Sequence, residues 1–226
     1  MERTELICMW IAQLLPLGAT VFSFLFGLRH FFKRGKPLFL QSITMAMGCH
    51  ALGTVYHLCL MLTNGGGFEG FTPAYLGRIG FFLFLIAASY GQMDRIIDDG
   101  SKAVRSSRYL ALIAPACAAL LYLPVARAEA LPGAVRVSVL LVWIPALVSV
   151  YFNLKHAIIP NCDFGFVEAI KPYNMIAVGL GFAELACLCA ENCFGDAAAA
   201  VASVVFSVLC AGLMFAAKKG AEEWIL

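Results

Sequence analysis

His50 and Glu184 are the residues whose chemistry is hardest to reconcile with their surroundings, because each sits deep inside a long apolar run of the chain. Ionisable groups inside apolar segments are costly, and a desolvated carboxylate either pairs or takes up a proton. An imidazole can hold or release that proton near neutral pH. Together they could exchange a proton as a solute enters, or bind a polar ligand between helices. A purely structural interhelical hydrogen bond is the competing account of the same pair. His57 follows His50 by seven residues, with Gly53 and Thr54 between them. On a helix that spacing puts both imidazoles on one face, where they could line a cavity opening outward. Arg78, in the sequence Gly77-Arg78-Ile79-Gly80, adds a cation near the start of another apolar run. Its long side chain could snorkel to lipid phosphate or meet an anionic ligand arriving from outside.

Other reactive residues make weaker patterns. Cys187, Cys189 and Cys193 stand near Glu191 as a loose metal-binding set. Cysteines scattered through apolar runs without paired spacing are more simply read as small polarizable packing residues, so no metal site and no disulfide framework is expected. His30 and His156 fall at basic helix ends, too far in depth to join His50 and His57, so no cofactor is expected. Gln92, Asp94, Arg95, Asp98 and Asp99 form a dense mixed-charge end to one apolar run and are the first choice for a cytoplasmic gate or docking point. Asn64 to Gly67 reads NGGG without a following Gly-Lys-Ser or Gly-Lys-Thr, so it is a turn and not a phosphate loop. No HExxH, GxSxG or other catalytic pattern occurs, and the chain is not expected to be an enzyme.

These residues must be positioned by helices. The chain has 226 residues, of which 62% are hydrophobic and only 13% charged, and its mean hydropathy is +0.85. That composition is far from a soluble domain's and predicts an all-α polytopic membrane protein in contact with the lipid bilayer. A net charge of +2 gives no reason to expect nucleic acid. Hydropathy with Gly, Pro and charge punctuation predicts seven transmembrane helices: Leu6 to Phe32, Pro37 to Leu62, Tyr75 to Ile97, Tyr109 to Leu123, Val135 to Ile159, Pro172 to Ala190 and Ala197 to Ala217. Basic residues concentrate in the first, third and fifth connections and in the tail, as at Arg29, Lys33, Lys102, Arg105, Lys155 and Lys218. The positive-inside rule then places the N-terminus outside and the C-terminus in the cytoplasm.

A weak internal repeat organises the spans. Span one ends in FGLRH (Phe26 to His30) and span five in FNLKH (Phe152 to His156), with Pro16 and Pro145 a few turns earlier. Spans two and six open with Lys36-Pro37 and Lys171-Pro172; aligning these openings puts His50 and Glu184 one residue apart in depth. The pattern predicts a parallel 3+1+3 arrangement: a first three-helix repeat at 1–104, a linker helix at 105–130 and a second repeat at 131–226. In this the chain resembles the SWEET and PQ-loop transporters, whose paired helices carry prolines along the transport path; Pro16, Pro37, Pro145 and Pro172 fall on the corresponding spans. The Pro-Gln dipeptide of those families is absent, since Leu17 follows Pro16 and Ala146 follows Pro145. A retinal-binding opsin is excluded by the lack of a lysine within the last span.

The expectation is a multi-pass plasma (inner) membrane transporter of a small polar solute, coupled to protons. His50 and Glu184 form its mid-membrane site, His57 and Arg78 its outer approach, and Pro16 and Pro145 its hinges. The alternative is a seven-helix sensor or receptor-like module that binds a small molecule in the same cavity and signals through a cytoplasmic partner; a homo-oligomer is the other partnership the sequence allows.

Overall fold

The computed structural model describes residues 3–31, 38–64, 70–90, 102–159 and 166–225, and among these all regular structure is helical. The long elements are α1 (Arg3–Phe31), α2 (Leu38–Asn64), α3 (Pro73–Ala88), α7 (Gly133–Ile158), α8 (Phe166–Cys193) and α9 (Asp196–Ile225). Between α3 and α7 a broken rod is built of α4 (Lys102–Ala111), α5 (Ile113–Leu120) and α6 (Leu123–Arg127). Six helical stretches, including this rod from Val104 to Arg127, are long and apolar enough to cross a membrane, and Pro73–Ala88 is a shorter apolar helix. Pro37, Gln92, Asp94, Arg95, Asp98 and Asp99 lie outside the described residues.

The surface is far more apolar than that of a water-soluble bundle. α1 buries Ala12, Gln13, Thr20, Ser23 and Gly27, yet exposes Leu14, Phe22 and Leu25. Leu52, Val201 and Val208 are likewise more than two-thirds exposed. Large apolar groups turned outward, with small and polar ones at the helix contacts beside a core that includes Trp143, Phe81 and Phe206, is the arrangement lipid permits, because helices in hydrocarbon gain from close backbone approach and hydrogen bonding. This is an integral, multi-pass membrane protein.

The long helices close into a ring. α1 packs between α2 and α9, α2 on α3, α3 on α7, α7 on α8, and α8 on α9. The α4–α6 rod packs on α7 outside that ring, where the Trp143 indole donates to the Ala118 carbonyl at 3.2 Å. The rod is broken at that level: the Leu121 and Tyr122 amides bond to Ala118 and Ala119 in tightened turns, which leaves room for the indole to reach the same carbonyl. α8 turns directly into α9 through Gly195, whose φ of +82° is the left-handed value that favours glycine, and its amide caps the Ala190 carbonyl at 3.1 Å.

Prolines do not interrupt the long helices. α1 runs through Pro16 and α7 through Pro145, while α8 begins at Phe166, six residues before the expected opening at Pro172. Pro16 has no amide hydrogen to offer the carbonyl four residues earlier, that of Ala12. Ser203 of α9 supplies the missing donor, 3.0 Å from the Ala12 carbonyl oxygen. One turn further, Thr20 donates to the Pro16 carbonyl at 2.8 Å. The residue read from sequence as a hinge is thus also a docking point between α1 and α9.

Candidate functional site

The site begins with a contact between two glycines. A Cβ built on Gly77 of α3 would lie 2.5 Å from the Gly53 Cα and 2.6 Å from the Cys49 carbonyl oxygen of α2. Only hydrogen fits there, so the two backbones touch, and the residues beside the contact are brought into one space. Those residues are Arg78 on α3 and His50, Thr54 and His57 on α2.

α8 presents two carboxylates to them. Glu184 and Glu191 are seven residues apart and so share a helical face, as His50 and His57 do on α2. Arg78 grips Glu191 in a fork: Nη1 donates to Oε2 at 3.0 Å and Nη2 to Oε1 at 2.9 Å. Its Nε lies 3.0 Å from Glu184 Oε1, close enough for strong attraction but without an aligned hydrogen bond. Glu184 Oε2 lies 3.4 Å from His50 Nε2, at the long end of hydrogen bonding. The chain of contacts therefore runs Glu191, Arg78, Glu184, His50, descending from a helix end toward the middle of the bundle.

His50 and Glu184 are each only 2% exposed. Phe206 of α9 stacks on the imidazole with centroids 4.8 Å apart, and Phe81 of α3 meets it edge-on at 5.3 Å. Thr54 sets the ring's other nitrogen. Its hydroxyl donates to the His50 carbonyl at 3.0 Å, which leaves an oxygen lone pair for His50 Nδ1 at 3.3 Å. With Nδ1 as the donor there, Nε2 and Oε2 can hydrogen-bond only if the pair holds one further proton, on the ring or on the carboxyl.

Above the cluster, the ends of six helices converge on a cavity of about 330 Å³, whose walls include Met9, Met61, Tyr75, Val135, Asn192 and Asp196. A smaller cavity of about 50 Å³ continues inward past Gln13, Thr54, His57 and Arg78. Both are lined by Gln13, His57, Tyr75 and Glu191. His57 is thus on the approach to the buried cluster, on the face that its spacing from His50 predicts.

Arg78 departs from the reading that sends it to lipid phosphate: it points into the bundle, because two carboxylates there offer a better partner than the interface. Glu191, grouped from sequence with cysteines, is its main anchor. The cysteines do not join it: Cys187 faces Ser203 at 3.9 Å, Cys189 and Cys193 hydrogen-bond to each other, and no group of three metal-ligating side chains occurs among the described residues. Sequence reasoning missed the Arg78–Glu191 fork, although the paired seven-residue spacings on α2 and α8 were a usable signal. No protein-family model, curated protein or solved structure matches this chain.

Proposed function

We propose that this chain is a seven-helix transporter of a small polar solute, coupled to protons through the His50–Glu184 pair. The observation that carries the reading is a buried charge imbalance beneath a solute-sized cavity. Among the described residues Glu184 and Glu191 face a single permanent cation, Arg78, so with a neutral His50 the cluster carries one uncompensated negative charge. A buried excess charge of that kind is relieved by a proton or by a cationic solute group. In the first state the proton resides between His50 and Glu184 and Arg78 is free to hold Glu191. When the proton leaves, Glu184 draws on Arg78, loosening the fork that closes the floor of the cavity. Proton release and opening toward the bundle interior are then one event, which is what coupling requires.

Seven spans are counted by adding Pro73–Ala88 to the six longer stretches, and the basic connections orient the cavity outward. The ring order supports two matching triplets, α1–α2–α3 and α7–α8–α9, each with its second helix in the middle and with the α4–α6 rod outside. In the 3+1+3 reading His50 and Glu184 come from the two middle helices. This is the relation expected of a site on the axis between repeats. Motion at Pro16 would have to break the Ser203 bond to Ala12, which makes that bond a part of the proposed gate.

The test is reconstitution with a trapped pH indicator and a panel of amino acids, sugars, amines and carboxylates. The wild-type protein should acidify or alkalinise the lumen with at least one class, and Glu184→Gln should abolish the pH dependence of its uptake. Binding of a solute without movement would favour the sensor reading instead. Uptake by Glu184→Gln with an unchanged pH profile would remove the proton coupling.

A further inference from the structure

A second set of buried polar side chains lies in the opposite half of the bundle. Ser89 of α3's last described turn, where the backbone takes π geometry, donates to Asn153 Oδ1 of α7 at 3.0 Å. Asn153 Nδ2 donates in turn to the Ser149 carbonyl at 2.8 Å. Tyr173 of α8 packs edge-on against Phe39 of α2 at 4.8 Å and directs its hydroxyl toward Ser89. Asn174 follows Tyr173 and shares a helical face with Gly181, at which a Cβ would meet Val150 of α7. It therefore faces α7, on the side that carries Asn153.

Tyr173, Asn174, Ser89 and Asn153 are all fully buried. Yet Asn174 has a hydrogen-bond partner for neither its amide oxygen nor its nitrogen, and the Tyr173 hydroxyl has no aligned partner, among the described residues. Buried polar atoms left unmatched are rare in folded proteins, and both ends of one carboxamide left so in an apolar bundle, beside a phenol with only a poorly aligned neighbour, are costly. A ligand's own polar atoms would remove that cost. Lys155 and His156, buried on the neighbouring turn of α7, each have interactions of their own.

The two polar sets are separated by a dry layer. Ser89 lies eleven residues beyond Arg78 and Asn174 ten before Glu184, displacements of roughly 15 Å along their helices in the same direction. Met47, Phe82 and Leu85, all fully buried, lie on the stretches between, beneath the Phe81 and Phe206 rings that pack on His50. Two polar stations with an aromatic plug between them is the layout of a path closed at its middle.

We propose that Ser89, Asn153, Tyr173 and Asn174 form a second solute site, at the cytoplasmic end of that path, that takes an uncharged hydrogen-bonding group such as a hydroxyl or carboxamide. The match is chemical: the site offers amide, hydroxyl and phenol groups, uncharged at neutral pH, where the outer site offers charge. Its place in a path rests on the transport reading; its existence as a site does not.

The experiment places a thiol at the site with Asn174→Cys and exposes the full-length protein to a charged, membrane-impermeant methanethiosulfonate from either face of sealed vesicles. Modification is read at peptide level by mass spectrometry, so that the native cysteines do not interfere. The thiol should react roughly tenfold faster from the face bearing Lys218 than from the other, since only a hydrated thiol ionises readily. Phe81→Cys should react from neither face. Glycerol, urea or myo-inositol should slow the reaction by about twofold or more when it approaches saturation of the site. Absence of reaction from both faces, together with a higher melting temperature for Asn174→Leu, would mean dry packing and overturn the site. Reaction slowed by none of the solutes would overturn it as a solute site. Loss of all uptake in the wild type, with labelling and protection intact, would remove the transport reading and leave this site standing.

Discussion

Arg78 is the cation on which the buried cluster depends, and replacing it by Met is the sharpest perturbation of the site. Met keeps much of the side chain's bulk but leaves Glu184 and Glu191 facing each other without a counter-charge. Breaking a buried pair by removing one partner costs about 3–5 kcal/mol, most of it the desolvation of the charge left behind. For a chain of this size a kilocalorie shifts the melting midpoint by about 2–4 °C, so the expected loss is roughly 6–20 °C. The double variant Arg78→Met with Glu191→Gln should recover a large part of that loss, because it returns the cluster to a single carboxylate beside His50. Arg78→Lys should fall between, since an ammonium restores the charge but not the fork. The assay is thermal unfolding of detergent-solubilised protein, followed by tryptophan fluorescence and by aggregation. A melting temperature for Arg78→Met within about 2 °C of the wild type would mean that the guanidinium is solvated elsewhere, and the charge argument would fail with it.

Gly77→Ala should be strongly destabilising, since its Cβ would fall on the backbone of α2; overpacking of this kind costs about 1–3 kcal/mol or more. Gly18→Ala is the matched control. It has nothing within 4 Å of the added atom and should be neutral or stabilising, by up to about 1 kcal/mol. Trp143→Phe should cost about 0.5–1.5 kcal/mol by removing the indole donor to Ala118, read as a small drop in melting temperature. The His50–Glu184 contact should change little in strength between about 0.05 and 0.5 M salt, because both partners are only 2% exposed and groups that far from water are weakly screened; a steep salt dependence of melting that Glu184→Gln removes would place them at the surface.

His50, Glu184 and His57 could be singled out before any fold was known, because an ionisable residue in an apolar run is conspicuous and helical spacing fixes which ones share a face. The Lys-Pro openings were a poorer guide to depth: Lys171-Pro172 lies inside α8, not at its start, and the imidazole and carboxyl meet because of how the helices pack. Arg78 was visible but its direction was not. Whether a cation near a helix end turns to lipid or inward depends on which carboxylates its neighbours present, and Glu191 reaches it only because α3 and α8 face one cavity. Asn153, Asn174 and Ser89 raised no signal at all, since neutral polar residues in apolar helices are common and only burial without partners makes them informative.

Composition and periodicity alone determined that this chain is a bundle of apolar helices carrying a few charges it cannot easily solvate, because hydropathy and the 3.6-residue turn are local properties of the sequence. Which of those charges meet was decided by the ring of helices. The glycine contact between α2 and α3, the Ser203 bond that seats α9 on α1, and the turn at Gly195 set distances between residues more than a hundred positions apart, and no local pattern encodes those distances.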